Sequence, residues 1–401
     1  MQVIVQKYGG SSVATVEKMQ TIADAVIKRK EEGYNVVIVV SAMGKTTNHL
    51  IDMAKSITEK PCKRELDMLM ATGEQVTSSL LSMIFKEKGH DSISLTGFQA
   101  GIKTEGIHTK NIIIEIDIEK IKNYLEEGKI VVVAGFQGIN EFGDITTLGR
   151  GGSDTTAVAL AAKFNCPCEI FTDVDGIYSI DPRLFPNAKR LDFISYEEMM
   201  EMSSLGTKVM EARSVELGFR YQVPIYVTSS NIKDKGTYIK EYDIEMEQKV
   251  ITGLSVSDDV LMETINQVPY SSENISDIFG RLASQEVNID MISQTSPSGG
   301  YVNISFTTSK DDEETVDGVM KELMKKMPSI DIEKDTNITK LSVVGMGMRN
   351  ETGVASKMFR LFSDNCISFK QVTTSEISIS YTINSSDKQK AIDVICEAFS
   401  L

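Results

Sequence analysis

Short apolar runs separated by glycine or polar turns recur through the first half of the chain: VIVQ, NVVIVVSA, KIVVVAGFQG, CEIFTDV and VPIYVTSS. Runs without an exposed alternate position predict strands buried on both faces, and hence a mostly parallel sheet. Between the first two, Val16, Met19, Ile22, Ala23, Val26 and Ile27 recur at helical spacing and Gly33 follows. That pattern predicts a helix packed by one face and closed by the glycine. Residues 1–230 thus read as one α/β sandwich.

The pattern then changes. Residues 231–250, NIKDKGTYIKEYDIEMEQKV, are charged and weakly periodic, as expected of a connector. Beyond them a helix, strand, strand succession occurs twice, with Arg281-Leu282 and Arg360-Leu361 at matching places 79 residues apart. That is too long for a solenoid period and predicts two small tandem α+β domains, over 251–330 and 338–401.

The composition of the 401 residues, 41% hydrophobic and 25% charged, is that of a globular chain rather than a disordered or fibrous one. A net charge of −15 disfavours nucleic acid as a partner, since that would need basic patches. No apolar run reaches the ~20 residues of a membrane span, and MQVIVQKYGG lacks a secretion-signal layout, so a cytoplasmic location is expected. Cys62, Cys166, Cys168, Cys366 and Cys396 are odd in number and scattered, which predicts reduced thiols. Cys166 and Cys168 lack zinc-type spacing and read as core or loop residues. His49, His90 and His108 lie far apart and read as surface or loop residues, so the chemistry is not expected to need a histidine base.

Two glycine turns are better candidates. VQKYGGSS places Lys7, Gly9, Gly10, Ser11 and Ser12 where a buried strand gives way to a helix, a place where backbone amides and a helix N-terminus receive phosphate. A plain tight turn with a capping serine explains the same letters. VVSAMGKTTN and VGMGMRNETG each fail a nucleotide-binding consensus by the position of one glycine. ITTLGRGGSDTTAVALAA is richer. Arg150 offers a fork for a carboxylate, Gly151 and Gly152 expose amides, Ser153 a hydroxyl, and Asp154 suits orienting a lysine or attracting a metal. A capped alanine-rich helix with an arginine outside it remains an equal reading of that stretch.

KYGGSS, VVSAMGKTTN, ATGEQ, GFQG, TLGRGGSDTTA, TDVDGIYSIDPR and KVMEARSVELG occur in the order seen in aspartokinases of the amino acid kinase family, which the chain resembles over almost its whole length. The C-terminal repeat is similar to the paired ACT domains of that family. The resemblance implies an amino acid kinase catalytic sandwich with a mostly parallel central sheet, followed by two ferredoxin-like α+β ACT domains. It also implies transfer of the γ-phosphoryl of ATP, with Mg²⁺, to the β-carboxylate of L-aspartate, giving 4-phospho-L-aspartate and ADP. This is the first step towards lysine, threonine and methionine. An aspartate carboxylate, with a reference pKa near ~3.9, is already ionised and needs no base to be nucleophilic. The difficulty is that an anion approaches a polyanion, so cations and backbone donors must spread the charge.

Carried over position by position, Lys7, Gly9 and Gly10 face the transferring phosphoryl and Asp154 organises the lysines. Thr47, Glu74, Arg150, Gly151, Gly152 and Ser153 hold aspartate, Glu74 taking its ammonium and Arg150 its α-carboxylate. Ser41, Thr172, Asp173, Tyr178, Arg183 and Lys208 belong to the nucleotide side, and no metal ligand is assigned. Asn288, Asp290, Gln294, Ser375 and Glu376 are the expected contacts of an inhibitory amino acid, lysine or threonine, in a homodimer or larger homo-oligomer formed through the ACT domains. VPYSSENIS departs from the family in lacking the proline-glycine turn that opens the first helix of many ACT domains. Two other readings stand beside this one: a kinase acting on glutamate or acetylglutamate, and a catalytically silent amino-acid sensor. The ordered TGEQ and RGGSD motifs argue against the first, and the retention of Lys7, Arg150, Asp154 and Lys208 together against the second.

Overall fold

A computed structural model describes residues 2–230, 235–241 and 250–401. It divides into two compact units, Met1–Tyr178 with Arg190–Met246, and Ser179–Lys189 with Glu247–Leu401.

The first unit is built on an eight-stranded sheet in the order Phe193–Ile194, Thr237–Ile239, Ile225–Ser229, Cys168–Thr172, Val3–Tyr8, Asn35–Val40, Ile130–Ala134 and Ser92–Leu95. The last six run parallel, in keeping with their apolar runs: every residue of Val3–Tyr8 and Ile130–Ala134 is buried. Helix Val16–Glu31 packs Met19, Ile22, Ala23 and Val26 against this sheet. Thr15 caps its start and Gly33, at φ +98°, turns the chain at its end. Helix Gly152–Phe164 is buried along Asp154–Ala161, and its alanines let it lie close to the strands. A second, four-stranded sheet runs Ile112–Ile116, Ile102–Glu105, Gln137–Ile139 and Ile145–Thr147. No single strand signal predicts it, because its strands are short and partly exposed.

Within 231–250, residues 231–234 and 242–249 lie outside the described residues, but Thr237–Ile239 pairs antiparallel with Ile225–Ser229. The stretch expected to be connector therefore contributes a strand to the eight-stranded sheet. Residues 179–189 differ as well: Ile180, Leu184, Phe185 and Ala188 pack into the core of the second unit, and the Leu254 amide donates to the Ser179 carbonyl at 2.7 Å.

In the second unit one sheet is ordered Ile292–Gln294, Tyr301–Thr308, Leu261–Pro269, Asp331–Asp335, and the other Gly253–Ser257, Ile338–Val344, Ser378–Asn384, Phe369–Thr374. Gly253–Ser257 pairs antiparallel with Ile338–Val344, so the first module is inserted into the second rather than strung before it at 251. Each sheet buries one face under two helices, with Leu261, Ile265, Ile304 and Phe306 below Ile278, Leu282, Val316 and Leu323 in the first. Helix Ser272–Ser284 needs no proline-glycine turn to start, because the Ser271 hydroxyl accepts from the Asn274 amide at 3.1 Å.

Among the described residues no helix is long and apolar enough to cross a membrane, and the five cysteines are free thiols, with Cys166, Cys168 and Cys396 buried.

Candidate active site

The carboxyl ends of parallel strands are where an open α/β sheet receives ligands, because helix N-termini and turn amides converge there. Strand Val3–Tyr8, central in the sheet, delivers Lys7 next to last. From the neighbouring layer the first turn of helix Gly152–Phe164 delivers Asp154. Lys7 Nζ and Asp154 Oδ1 lie 2.6 Å apart, both nearly out of solvent. The ion pair fixes the ammonium at the strand end.

The chain next reverses at Gly9 and Gly10. The Gly9 amide donates to the Phe171 carbonyl at 3.0 Å, and a Cβ at Gly9 would stand 3.4 Å from Lys7 Nζ. A Cβ at Gly10 would come within 2.9 Å of the Ala42 carbonyl oxygen. Only glycine lets this turn approach so closely. The end of Asn35–Val40 contributes Ser41, whose hydroxyl is 2.8 Å from that of Ser153. Gly151 adopts φ +63° immediately before the helix, which turns the chain so that the 152–154 amides head the helix.

Glu74 lies in the first turn of helix Thr72–Glu87 and is 3% exposed. Its Oε1 accepts from the Ala42 amide at 3.0 Å, while Oε2 is buried without a hydrogen-bond partner. Burial pushes its pKa from 4.5 to about 7, against the lowering influence of the backbone amides. An unpartnered buried carboxylate oxygen costs free energy that a cationic ligand would relieve.

The structure thus brings Lys7, Gly9, Gly10, Ser41, Ser153, Asp154 and, through Ala42, Glu74 to adjoining strand ends. Thr47 is half-buried in helix Thr46–Ile57, and Arg150 is exposed at the tip of the 148–151 turn. Gly151 and Gly152 line that turn; a Cβ at Gly151 would meet the side chain of Glu211 at 2.4 Å, which places the end of the loop carrying exposed Lys208 against it. Thr172 ends a parallel strand and its hydroxyl meets Asp173 Oδ1 at 3.1 Å; the Tyr178 hydroxyl donates to Asp175. Arg183 is exposed, chelated by Asp181, and lies in the 179–189 segment, which is grouped with the second unit.

In the second unit Asp290 is paired with buried Lys340, and Glu376 with Arg349 at 3.2 Å. Asn288 and Gln294 are exposed, and the Ser375 hydroxyl closes a turn with Ser378. His108 lies in a turn and is partly exposed, as expected of a surface or loop residue, and it places Nδ1 2.7 Å from Asp67 Oδ2, an acid with no exposure at all. No motif singles out Asp67; its one signal in the sequence is an acid between Leu66 and Met68 on a core-facing helix.

A model of the amino acid kinase family matches residues 2–229, and an ACT domain model matches residues 341–399. The chain is 46% identical over 403 residues to an aspartokinase of Bacillus sp. (strain MGA3) and 45% identical over 402 residues to aspartokinase 2 of Bacillus subtilis (strain 168), each covering 100% of this chain and 98% of the relative. A crystal structure of aspartate kinase from Synechocystis is 37% identical, with a TM-score of 0.56, covering 100% of this chain and 69% of the other. Aspartokinase III of E. coli, solved with aspartate and ADP, shares the fold at a TM-score of 0.81 and 22% identity, with 99% of each chain covered.

Proposed function

Because the chain belongs to the amino acid kinase family and, within it, to the aspartokinases, we propose that it transfers the γ-phosphoryl of ATP to the β-carboxylate of L-aspartate, giving 4-phospho-L-aspartate and ADP. The observation that carries this reading is Glu74, one oxygen fixed by Ala42 and the other buried without a hydrogen-bond partner, beside strand ends that present the Lys7–Asp154 pair.

Glu74 receives the substrate ammonium and Arg150 the α-carboxylate, with Thr47 and Ser153 completing the hold. Both fixed ends of the substrate are then neutralised, and the β-carboxylate is left as the free nucleophile. It attacks the γ-phosphorus in line; the new bond is carboxylate oxygen to phosphorus, the broken bond is phosphorus to the β,γ-bridging oxygen, and ADP leaves with that electron pair. No proton need move. As charge spreads over the transferring group, the Lys7 ammonium and the amides of Gly9 and Gly10 stabilise it in a preorganised, water-poor setting. Thr172, Asp173, Tyr178 and Lys208 are assigned to the nucleotide.

Magnesium enters as part of the substrate, MgATP. No group of three or more acidic, histidine or cysteine side chains is spaced to hold a metal among the described residues, and Asp154 is committed to Lys7. Phosphate oxygens and water suffice as Mg²⁺ ligands, so the residues present fit an ion carried by the nucleotide.

Holding both ends of the substrate fixes its length. Steady-state ADP formation should therefore depend on L-aspartate, with kcat/KM at least about 100-fold lower for L-glutamate, whose extra methylene displaces the reacting carboxylate by about 1 Å. Equal values would refute the assignment.

Feedback by lysine first and threonine second is the regulatory part of the proposal, with sites at Asn288, Asp290, Gln294, Ser375 and Glu376 in a homo-oligomer assembled through ACT domains. An effector ammonium at Asp290 would compete with Lys340. The nucleotide residues 172–178 lead straight into 179–189, whose core partners are in the regulatory unit, so a shift there is passed along the chain to the ATP side. A coupling of about 1–3 kcal/mol gives a 5- to 150-fold change in affinity. Titration calorimetry should detect lysine or threonine binding to the full chain; binding of neither would remove regulation and leave the kinase reading intact.

A further inference from the structure

We propose that Asp67 is a positioning residue that fixes the distance between the two ends of the substrate cradle. The proposal rests on the reading in which Glu74 holds the ammonium and Arg150 the α-carboxylate.

Asp67 is fully buried on helix Lys63–Met70, and that helix passes through Ala71 directly into the helix that carries Glu74. Its carboxylate accepts from three residues in two places along the chain. The Thr109 amide donates to both oxygens at 3.1 Å, His108 Nδ1 donates to Oδ2 at 2.7 Å, and the Thr147 hydroxyl donates to Oδ1.

Thr147 ends strand Ile145–Thr147, three residues before Arg150. Its carbonyl accepts from the Asn111 amide at 3.0 Å, so both ends of the 108–110 loop are tied to this strand and to Asp67. Thr109 has φ +75°, a left-handed conformation that a β-branched residue adopts at a cost of about 1–3 kcal/mol. That conformation brings its carbonyl against the turn: a Cβ at Gly149 would lie 3.2 Å from Thr109 O. One carboxylate therefore clamps together the helix that leads into the Glu74 helix, a strained loop and the strand that leads into the Arg150 turn.

Stability alone is a poor reason for this arrangement. Replacing a buried hydrogen-bonded polar group and its partners by well-packed apolar groups of similar size is often neutral for folding or better. Strain beside a substrate turn is instead what holding a geometry requires. Loosening the clamp lets the two ends of the cradle drift, which weakens aspartate binding and blurs the choice between aspartate and glutamate, while leaving the nucleotide side untouched.

The test is steady-state kinetics on the full chain for wild type, Asp67→Asn, Thr147→Val and Thr147→Ser, with a thermal melt of each. In Asp67→Asn the KM for aspartate should rise about tenfold or more and the preference for aspartate over glutamate should fall about tenfold, with the KM for MgATP within twofold of wild type. Thr147→Val should move the same way by less, and Thr147→Ser, which keeps the hydroxyl, should restore wild-type values. If Asp67→Asn does not fold, Thr147→Val against Thr147→Ser carries the test. An aspartate KM and a preference within twofold of wild type, whatever the melting temperature, overturn the proposal. A wild-type chain without aspartate-dependent ADP formation overturns the underlying reading, separately from any variant.

Discussion

Replacing Lys7 by methionine should lower kcat by about 100-fold or more while changing the KM for aspartate little, because its charge is needed most as the phosphoryl group departs from ADP. The variant also leaves Asp154 buried without its cation, an arrangement that costs about 3–5 kcal/mol. Folding and catalysis therefore have to be read apart. Lys7→Met with Asp154→Asn removes the orphaned charge and should recover most of the lost melting temperature without recovering turnover. Recovery of both by the double variant would mean that the pair is structural and the phosphoryl site lies elsewhere.

Glu74→Gln should stabilise the unliganded protein and cripple it. The Glu74 carboxyl has a folded pKa of about 7 against 4.5 as its ordinary value, raised by burial. Above pH 7 it is ionised both folded and unfolded, and the folded state bears the whole penalty, on the order of 3 kcal/mol at most. The penalty shrinks as pH falls through 7 and vanishes below 4.5, where both states are protonated. The glutamine amide oxygen keeps the acceptor for the Ala42 amide and the substitution removes the charge, so the variant's melting temperature should exceed that of wild type at pH 8 and match it near pH 4. Aspartate loses a charged partner worth about 2–3 kcal/mol, which is a rise in KM of about 30- to 150-fold. The wild-type KM for aspartate should fall as pH rises from 6 to 8, and that dependence should disappear in the variant. An unchanged KM at pH 8 would detach Glu74 from the substrate.

How far these residues could be read from the sequence follows from where their information lies. The strands Val3–Tyr8, Asn35–Val40 and Ile130–Ala134 are legible because burial on both faces makes most of their positions apolar, with Gln6, Lys7 and Asn35 the polar ones. Lys7, Gly9, Gly10, Ser153 and Asp154 are legible because each lies at a strand-to-helix turn whose chemistry is local. Thr237–Ile239 is hidden by its charged flanks, being a three-residue strand that runs antiparallel to Ile225–Ser229, one place in from the sheet edge. Gly253–Ser257 looks like the start of the first module, and only its pairing with Ile338–Val344 assigns it to the second. The 179–189 segment carries a nucleotide-type motif by its letters, yet its apolar residues are core of the other unit. Asp67, His108 and Thr147 are brought together across 41 and 80 residues, and Asp290 and Lys340 across 50. No periodicity or spacing reports contacts of that kind. Glu74 is named by its motif, but its unpartnered oxygen and its raised pKa are properties of the packed site alone.

The central claim concerns which oxygen receives the phosphoryl group, and trapping the product answers it most directly. Wild-type protein turning over L-aspartate and MgATP in hydroxylamine should accumulate L-aspartate β-hydroxamate in step with ADP, identified by mass and by comparison with the α-isomer, because Arg150 and Glu74 occupy the α-carboxylate and the ammonium and leave only the β-carboxylate to attack. ADP formed without hydroxamate, or a hydroxamate at the α-carboxylate, would contradict that account.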